Sequence, residues 1–277
     1  MTTGTEPRPL ELLSLGAGVQ STTALLMSLA GDLPPLAGAI FADTGWEPAA
    51  VYEHLGRLET VAAAAGVPVH RVGKPVGIRE AALDPATRFA SIPAFYANDD
   101  GSTGRGKRQC TNEFKIEPIR SLLWKLHREA GRPGIRQWFG ISWDEAQRMR
   151  DSDARYIDHH YPLIDLRMTR RDCLAWLAEA GWETPRSACI GCPFHSDAEW
   201  RRIRDNDPAA WADAVDFDAR IRHGHGLHKT APAGRVYLHR QRVPLDEADL
   251  RTVEQKGQGS MFPEFADDDC DTGYCGR

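Results

Sequence analysis

The stretch SLGAGVQSTTALL, Ser14–Leu26, decides the fold class of this chain. The residues around its start, LELLSL, are typical of a buried strand, and STTALLMSLAG predicts a helix that starts at Ser21 or Thr22 and ends at Gly31. A strand, a glycine turn and a helix in succession leave backbone N–H groups free at the helix N-terminus, which suits an anion. The stretch has no Gly-Lys-Ser/Thr of a Walker A loop, and a glycine turn alone also fits a plain strand-to-helix connection.

Composition restricts the class of protein. The chain has 277 residues, of which 42% are hydrophobic and 26% charged, which suits one sizeable α/β domain with an appended part, or two small domains. No apolar run is as long as a bilayer span and no signal peptide precedes the first strand, so we expect a cytoplasmic protein without a membrane partner. The net charge of −5 argues against a generally basic nucleic-acid coat protein but leaves room for a local basic groove.

Strand and helix patterns alternate through the first half of the chain. The predicted strands after the first are LAGAIFAD, VPVHRVG and RQWFGIS, and the predicted helices are EPAAVYEHLGRLETVAAAAG and KIEPIRSLLWKLHREAG. This alternation predicts a parallel sheet with helices on both faces, whose ligands bind at the carboxyl ends of the strands. Three segments fall at those ends: Gly16–Ser21, Asp43–Gly45 and Gly140–Ser142. Residues 75–109 indicate an irregular loop near a site.

The pattern changes beyond about residue 165, so we predict two domains. Residues 1–165 form the nucleotide-binding α/β domain, and residues 166–277 form a mostly helical part with a Cys-x-x-Cys loop and a mobile tail. Thr169 is the expected cap of the helix TRRDCLAWLAEAGW, and two further helices cover about 196–222. RVYLHRQRV predicts a short strand. The glycine-separated histidines favour a flexible loop over a zinc site: His223, His225 and His228.

Cysteine spacing points to a metal or redox site. A reducing cytosol disfavours disulfides, so the pair Cys189 and Cys192 indicates metal binding or a redox dithiol. Two thiolates supply half of the about four ligands that zinc or a 4Fe-4S cluster takes, and Cys110 is the best third ligand. Cys173 lies among apolar residues and is expected to be buried. The fourth ligand stays open between Cys275, Cys270, His195 and an open coordination position.

Two polar segments could bind an anion or remain solvated surface. GRGKRQCTNEFK, residues 104–115, places cations around Cys110, and its glycines allow close approach of a phosphate or sulfate: Arg105, Lys107, Arg108 and Lys115. The same cations favour the thiolate of Cys110. GISWDEAQRMR fits a strand followed by a polar helix start, from which Arg148 can reach a phosphate.

In chain order, these motifs resemble the PP-loop ATP pyrophosphatases, in the branch that contains the phosphoadenylylsulfate (PAPS) and adenylylsulfate reductases and their sulfur-inserting relatives. SLGAGVQST resembles the PP-loop, FADTGWEP the Asp-Thr-Gly segment, and RQCTNEFKIEPIR the cysteine-and-basic stretch before a helix. GISWDEAQRMR and the segment HHYPLIDLRMTRRDCLAWLAEAGWETP are similar to two later segments. CIGC resembles the paired cysteines that hold a 4Fe-4S cluster, and YCGR the carboxyl-terminal catalytic Cys-Gly.

The resemblance implies an adenine nucleotide alpha-hydrolase-like fold that binds ATP, Mg²⁺ and a 4Fe-4S cluster. The implied nucleotide-binding residues are Ser14, Gly16, Ala17, Gly18, Gln20, Ser21, Thr22, Asp43, Thr44 and Gly140. The implied catalytic residues are Ser21, Asp43, Lys107 and Arg108. The implied cluster ligands are Cys110, Cys189, Cys192 and Cys275.

The chain also departs from the family pattern. Val19 and Gln20 stand where the usual Ser-Gly-Gly-Lys-Asp-Ser loop has Lys and Asp. Phosphate binding would then rest on backbone amides and Ser21, with charge from Arg105, Lys107 or Arg108. Only Cys110 stands where adenylylsulfate reductases have two adjacent cysteines, which implies a three-cysteine cluster with an open iron, as in tRNA-thiolating PP-loop enzymes.

The implied activity is an ATP pyrophosphatase that adenylates a substrate for sulfur incorporation. The branch similar to this chain supports DNA phosphorothioation, so we expect a DNA substrate, a cysteine desulfurase or other sulfur donor as partner, and a homodimer as a candidate assembly. The alternatives are an adenylylsulfate or PAPS reductase, a tRNA-thiolating enzyme, and a non-catalytic iron–sulfur adaptor that binds nucleotide. A zinc site in place of the cluster is a further alternative.

Overall fold

The computed structural model describes residues 8–84, 92–223, 234–252 and 255–256. The strands are β1 (Leu10–Ser14), β2 (Gly38–Asp43), β3 (Val69–Gly73), β4 (Phe95–Asn98), β5 (Thr103–Arg105), β6 (Ile135–Phe139), β7 (Ile157–His160) and β8 (Gly234–Tyr237). The helices are α1 (Val19–Ala30), α2 (Ala49–Ala64), α3 (Ile78–Leu83), α4 (Glu117–Glu129), α5 (Pro162–Asp165), α6 (Arg170–Glu179), α7 (Asp197–Asn206) and α8 (Pro208–Ile221). A π-helical turn covers Asn112–Ile116, and 3-10 turns cover Trp143–Arg148 and Leu245–Glu247.

The chain divides into two compact units, each assembled from separated segments. Unit 1 comprises the described residues of Met1–Asp43, Ala49–Lys74 and Phe114–Ser187. Unit 2 comprises those of Thr44–Pro48, Pro75–Glu113 and Ala188–Arg277. These borders differ from the single boundary after residue 165 that the sequence predicts, and the two-domain assignment stays a prediction.

Unit 1 contains the parallel sheet that the sequence predicts. Its strands lie in the order β3-β2-β1-β6-β7, and every neighbouring pair is parallel. The prediction of an α/β fold with a parallel sheet flanked by helices is therefore confirmed. The chain leaves β1 on one side towards β2 and returns on the other side at β6, so the strand order reverses at β1. In open parallel sheets, ligands bind outside the carboxyl ends of the strands at such a reversal.

Both faces of this sheet are buried, as an α/β fold requires. Leu13, Ala39 and Phe41 belong to the larger cluster, which includes residues of α1, α2 and α6. Their neighbours Leu12 and Ile40 belong to a second cluster with Leu123 of α4, Ile135 and Ile157. Successive side chains of a strand point to opposite faces, so a mainly apolar stretch such as LELLSL supplies both clusters.

The predicted starts, caps and ends of the helices are largely confirmed. α1 ends at Gly31, whose φ of 89° is the left-handed conformation that favours glycine. It begins at Val19, before the predicted start at Ser21 or Thr22, because Gly18 is its N-cap. Thr169 caps α6 in a reciprocal capping box with Asp172. Cys173 on α6 is fully buried, as predicted.

The prediction of an irregular segment over residues 75–109 is wrong for its described part. α3, β4 and β5 lie there, and β4 pairs antiparallel with both β5 and β8. These strands have three or four residues, too few to show a period, and β8 lies far along the chain. The sequence also missed β7, an edge strand with a single buried residue, Ile157. His225, His228 and the tail lie outside the described residues.

The described residues after 165 contain α6, β8, and α7 and α8 over the expected range, and a mostly helical C-terminal domain stays a prediction. Asp218 of α8 is buried and accepts hydrogen bonds from the N–H groups of Leu238 and Leu245, which ties the chain after β8 to this helix. None of the helices within the described residues has the length and apolar character needed to cross a bilayer.

Candidate functional site

We call the segment Gly16–Ser21, which leads from β1 into the first turn of α1, the glycine loop. It is held by the hydroxyl group of its own residue Ser21. Ser21 Oγ accepts a hydrogen bond from the N–H of Gly16 at 3.1 Å and donates to the carbonyl of Gly18 at 3.3 Å. Ala17 is fully buried with a φ of 55°, a left-handed conformation that is uncommon for a residue with a side chain. Ser21 therefore braces both ends of a tightly turned loop.

The first turn of α1 presents unused donors. The first helical hydrogen bond runs from the N–H of Thr22 to the carbonyl of Gly18 at 2.9 Å, and Gly18 has no side chain to cap the turn. Within the described residues, the N–H groups of Val19, Gln20 and Ser21 have no acceptor. Together with the helix dipole, such groups bind phosphate.

Gly140 follows β6 and packs directly against this turn. A Cβ at this position would lie 2.5 Å from the nitrogen and 2.8 Å from the Cα of Ser21. Its φ is not in the left-handed region, so space rather than backbone conformation requires glycine here. The glycine loop and Gly140 thus meet between β1 and β6, at the point where the strand order reverses.

The side chain of Gln20 lies in a polar cluster. Gln20 Nε2 donates to Ser142 Oγ at 3.4 Å and to Glu145 Oε2 at 3.2 Å. Glu145 is buried, and its Oε1 lies 2.8 Å from Nη1 of Arg148. Burial raises the pKa of Glu145, and the charge of Arg148 opposes this effect. Sequence reasoning noticed Arg148 but missed Glu145, whose burial the polar motif does not reveal.

Three further residues predicted to bind nucleotide have partners in unit 1. Ser14 Oγ accepts from Gln137 Nε2 at 2.8 Å, and Asp43 Oδ1 accepts from the hydroxyl of Tyr52 at 2.8 Å. Thr22 is fully buried, with Oγ1 3.0 Å from Nε2 of His54. The contact of Thr22 is thus directed into the interior. The nucleotide-binding roles of these residues stay predictions.

His54 is buried beside Thr22. Burial, and then the nearby charge of Arg57, lower the pKa of His54 to about 4. Its Nδ1 has no hydrogen-bond partner within the described residues, so a proton there would be an unpaired buried charge.

In unit 2, the loop Cys189–Cys192, which we call the cysteine loop, is shaped by Trp46. The N–H of Ile190 donates to the carbonyl of Trp46 at 2.9 Å, and the N–H of Cys192 donates to the carbonyl of Cys189 at 3.1 Å. A Cβ on Gly191 would lie 2.0 Å from Cη2 of Trp46. The indole is itself held, because its Nε1 donates to Asp213 at 2.6 Å.

Two buried side chains that sequence reasoning did not connect with the cysteines lie beside Cys189. Its Sγ is 3.3 Å from Oγ1 of Thr44 and donates to Oε1 of Glu47 at 3.5 Å. Thr44 also donates to Glu47 at 3.0 Å. Thr44, predicted to bind nucleotide, is thus placed at the cysteine loop; the sequence signal that could have indicated Glu47 is its position three residues after Thr44.

The basic stretch is brought to the same loop through Phe194. The guanidinium groups of Arg105 and Arg108 lie 4.7 Å and 5.2 Å from the centroid of the Phe194 ring. Cation–π contacts therefore hold both guanidinium groups against Phe194, which lies two residues after Cys192. Lys107 is exposed, and Cys110 is partly buried at the start of the helical segment that contains the π turn. The catalytic roles predicted for Lys107 and Arg108 are not tested by these contacts.

Only part of the predicted set of metal ligands lies within the described residues. They contain no group of three or more His, Cys, Asp or Glu side chains placed to hold a metal ion. His195, a candidate fourth ligand, is buried with Nε2 3.0 Å from the carbonyl of Cys189. Cys275 and Cys270 lie outside the described residues. The set of Cys110, Cys189, Cys192 and Cys275 stays a prediction.

Comparison of the sequence with protein-family models and with curated proteins gave no match. Among solved structures, the chain is similar to the U34-tRNA thiolase NcsA from Methanococcus maripaludis with its 4Fe-4S cluster. The sequence identity is 11%, the TM-score is 0.41, and the match covers 79% of this chain and 73% of that chain.

Proposed function

We propose that this protein is an ATP pyrophosphatase of the PP-loop kind that adenylates a substrate for sulfur incorporation, with the DNA backbone as the sulfur acceptor. The observation that carries the proposal is the contact of Gly140 with Ser21. The close approach of Gly140 brings the carboxyl end of β6 against the first turn of α1, with its unused N–H groups, at the strand-order reversal.

Backbone groups do most of the phosphate binding in this proposal. The N–H groups of Val19, Gln20 and Ser21 receive phosphate oxygens, and the brace of Ser21 keeps them aligned. Because Val19 replaces the family lysine, the loop itself brings no cation, and Mg²⁺ offsets phosphate charge. Asp43 at the end of β2 orients the adenosine or the metal. Such catalysis consists of positioning and charge neutralisation.

The reaction has two steps. An oxygen of the acceptor attacks the α-phosphorus of ATP, a new P–O bond forms, and pyrophosphate leaves. A sulfur nucleophile then attacks the activated atom, and AMP leaves with the oxygen. Where the nucleophile is the persulfide of a cysteine desulfurase, a thiol then cleaves the S–S bond, which leaves the outer sulfur on the acceptor and gives a disulfide as the oxidised product. The first step turns a poor leaving group into a good one, and neither step requires a named general base on this chain.

The cysteine loop supports an accessory metal in donor chemistry. Cys189 and Cys192 are partly exposed thiols on one short turn, which suits iron or zinc. Cys110 and Cys275 complete the proposed set for a 4Fe-4S cluster, which would supply sulfur or electrons when bound. The described residues do not bring three of these ligands together.

Product analysis tests the proposal directly. Full-length protein, purified without oxygen, is incubated with ATP, Mg²⁺ and sulfide, with DNA, tRNA or adenylylsulfate in separate reactions. We expect AMP and pyrophosphate in equal amounts, and a yield that rises with DNA. ADP and phosphate would overturn the pyrophosphatase assignment. Stimulation by tRNA alone would move the acceptor to RNA, and sulfite release from adenylylsulfate that is lost in Cys275→Ser would identify a reductase.

A further inference from the structure

The side chain of Gln20 joins the first turn of α1 to the turn that follows β6, within unit 1. Its Nε2 donates to Ser142 Oγ at 3.4 Å and to Glu145 Oε2 at 3.2 Å, and these partners lie 122 and 125 positions away along the chain. Gly140, which packs against Ser21, brings the two turns together but has no side chain to hold them. The amide of Gln20 therefore supplies a directional link where Gly140 supplies only a close approach.

Glu145 decides which way the amide of Gln20 points. An ionised carboxylate only accepts hydrogen bonds, so it faces the Nε2 end of the amide and not the Oε1 end. With Ser142 as the second acceptor, both N–H bonds of this amide are used. The two contacts restrict the rotation of a side chain that is only partly buried and that solvent alone would leave free. Gln20 is thus held in one orientation.

Glu145 is itself held at a defined position. Its side chain is 5% exposed, and its Oε1 lies 2.8 Å from Nη1 of Arg148. Its N–H donates to the carbonyl of Ser142 at 2.9 Å, which fixes the backbone of the turn. Burying a carboxylate costs free energy that a charge partner and hydrogen bonds must offset, so a buried pair of this kind is a poor source of stability. Its contribution is geometric, because it fixes the acceptor that Gln20 meets.

We propose that Glu145 is a positioning residue of the nucleotide site, which acts through Gln20 on the N–H groups of α1. Among the described residues, the N–H of Gln20 is one of the donors of the first turn that have no acceptor. Hydrogen bonds from such donors to phosphate weaken steeply with angle, so the orientation of Gln20 affects how they meet the anion. The brace of Ser21 lies within the glycine loop, whereas Glu145 ties that loop to the turn after β6. The assignment rests on the proposed function, because it concerns the same nucleotide.

Nucleotide affinity in a double-mutant cycle tests this assignment. Isothermal titration calorimetry with ATP and, separately, with pyrophosphate, each with Mg²⁺ and without a sulfur acceptor, gives the Kd of the parent protein, Glu145→Ala, Gln20→Ala and the double variant. Each single change should raise the Kd about tenfold. Because Glu145 acts through Gln20, the double variant should also show a rise of about tenfold, and not the rise of about 100-fold that independent effects would give.

A conservative variant and a matched control separate positioning from stability. Glu145→Gln keeps a group that hydrogen-bonds the amide of Gln20, so its Kd should stay within about threefold of the parent value. Glu199→Ala is the control, because the side chain of Glu199 is 4% exposed and forms an ion pair at 2.7 Å with Arg202, three positions later, but lies on α7 in unit 2. It should lower the midpoint of urea denaturation and leave the Kd unchanged.

An unchanged Kd in Glu145→Ala or in Gln20→Ala, additive losses in the double variant, or an equal rise in Glu199→Ala would overturn the positioning role. If Glu145→Ala does not fold, Gln20→Ala still tests the link. Because the cycle measures binding and not turnover, a protein that shows the expected cycle but forms no AMP would overturn the proposed function alone. AMP formation with unchanged Kd values would overturn the positioning role alone, and a parent protein that binds neither ATP nor pyrophosphate would overturn both.

Discussion

The glycine loop and the cysteine loop are both short turns that carry chemistry, but they are built in opposite ways. The two hydrogen bonds that brace the glycine loop join residues five and three positions apart. The contact of Cys189 with Thr44 joins residues 145 positions apart. A contact between residues near in sequence closes a short loop and costs little conformational entropy. A contact between distant residues forms only when the chain between them has folded. The brace of the glycine loop is therefore encoded locally, although the loop also needs the distant Gly140, and the cysteine loop depends on the folded unit.

Gly140→Ala should have the largest effect, because it disrupts the close packing of Gly140 against Ser21. The new Cβ would lie 2.5 Å from backbone atoms of Ser21, which cannot rotate away. We expect the free energy of unfolding to fall by about 3 kcal/mol, and pyrophosphate release to fall about 100-fold through displaced N–H groups. Urea denaturation and product assays measure both. Gly56→Ala on α2, where nothing lies within 4 Å, should instead stabilise by about 0.5–1 kcal/mol. Full activity in Gly140→Ala would contradict the close approach.

Gly191→Ala is the corresponding change in the cysteine loop. Its Cβ would meet the buried indole of Trp46, so we expect a loss of about 2 kcal/mol in unfolding free energy and faster reaction of the cysteines with a thiol reagent. Nucleotide affinity should stay within about twofold, since the glycine loop has its own brace. A parallel loss of nucleotide affinity would show that the two loops are not independently built.

Acid should weaken unit 1 through His54. The pKa of His54 is lowered to about 4, so between this value and its ordinary 6.5 the unfolded chain binds the extra proton. The stabilisation is complete above pH 6.5 and is lost as the pH falls towards 4, with a loss of about 2 kcal/mol between pH 7 and pH 5. Urea denaturation at several pH values measures it. His54→Gln, which cannot titrate, should have a flatter pH profile; a slope equal to that of the parent would refute the assignment.

Ser21→Ala should have the smallest effect on stability and the most selective effect on binding. It removes the hydroxyl that joins Gly16 and Gly18, at a cost of about 1 kcal/mol. Ser28→Ala is the matched control on α1, because Ser28 is similarly buried and donates to the carbonyl of Pro34 at 2.7 Å. Both variants should lose similar stability in urea, and only Ser21→Ala should raise the Kd for ATP. Equal Kd values in the two would show that the brace does not align the phosphate donors.

Much of the fold follows from local patterns. The mainly apolar stretch Leu10–Ser14, the left-handed Gly31 and the cap Thr169 each act within a few residues. The strands β1, β2, β3 and β6 of the parallel sheet and their alternation with helices could therefore be predicted. The short strands β4, β5 and β7 could not, because a run of three or four residues has no readable period and its pairing is chosen by partners elsewhere.

The sequence by itself determined that a glycine turn ends a buried strand, that cations surround Cys110, and that two cysteines share one turn, since these facts concern neighbours along the chain. Only the tertiary structure decided that Gly140 lies against Ser21, that Glu47 and Thr44 contact Cys189, and that Arg167 covers Trp143. Each of these contacts joins residues brought together by packing of the sheet, helices and loops. Apart from Trp143, their side chains are polar or small, so hydrophobic periodicity in the sequence does not predict these contacts.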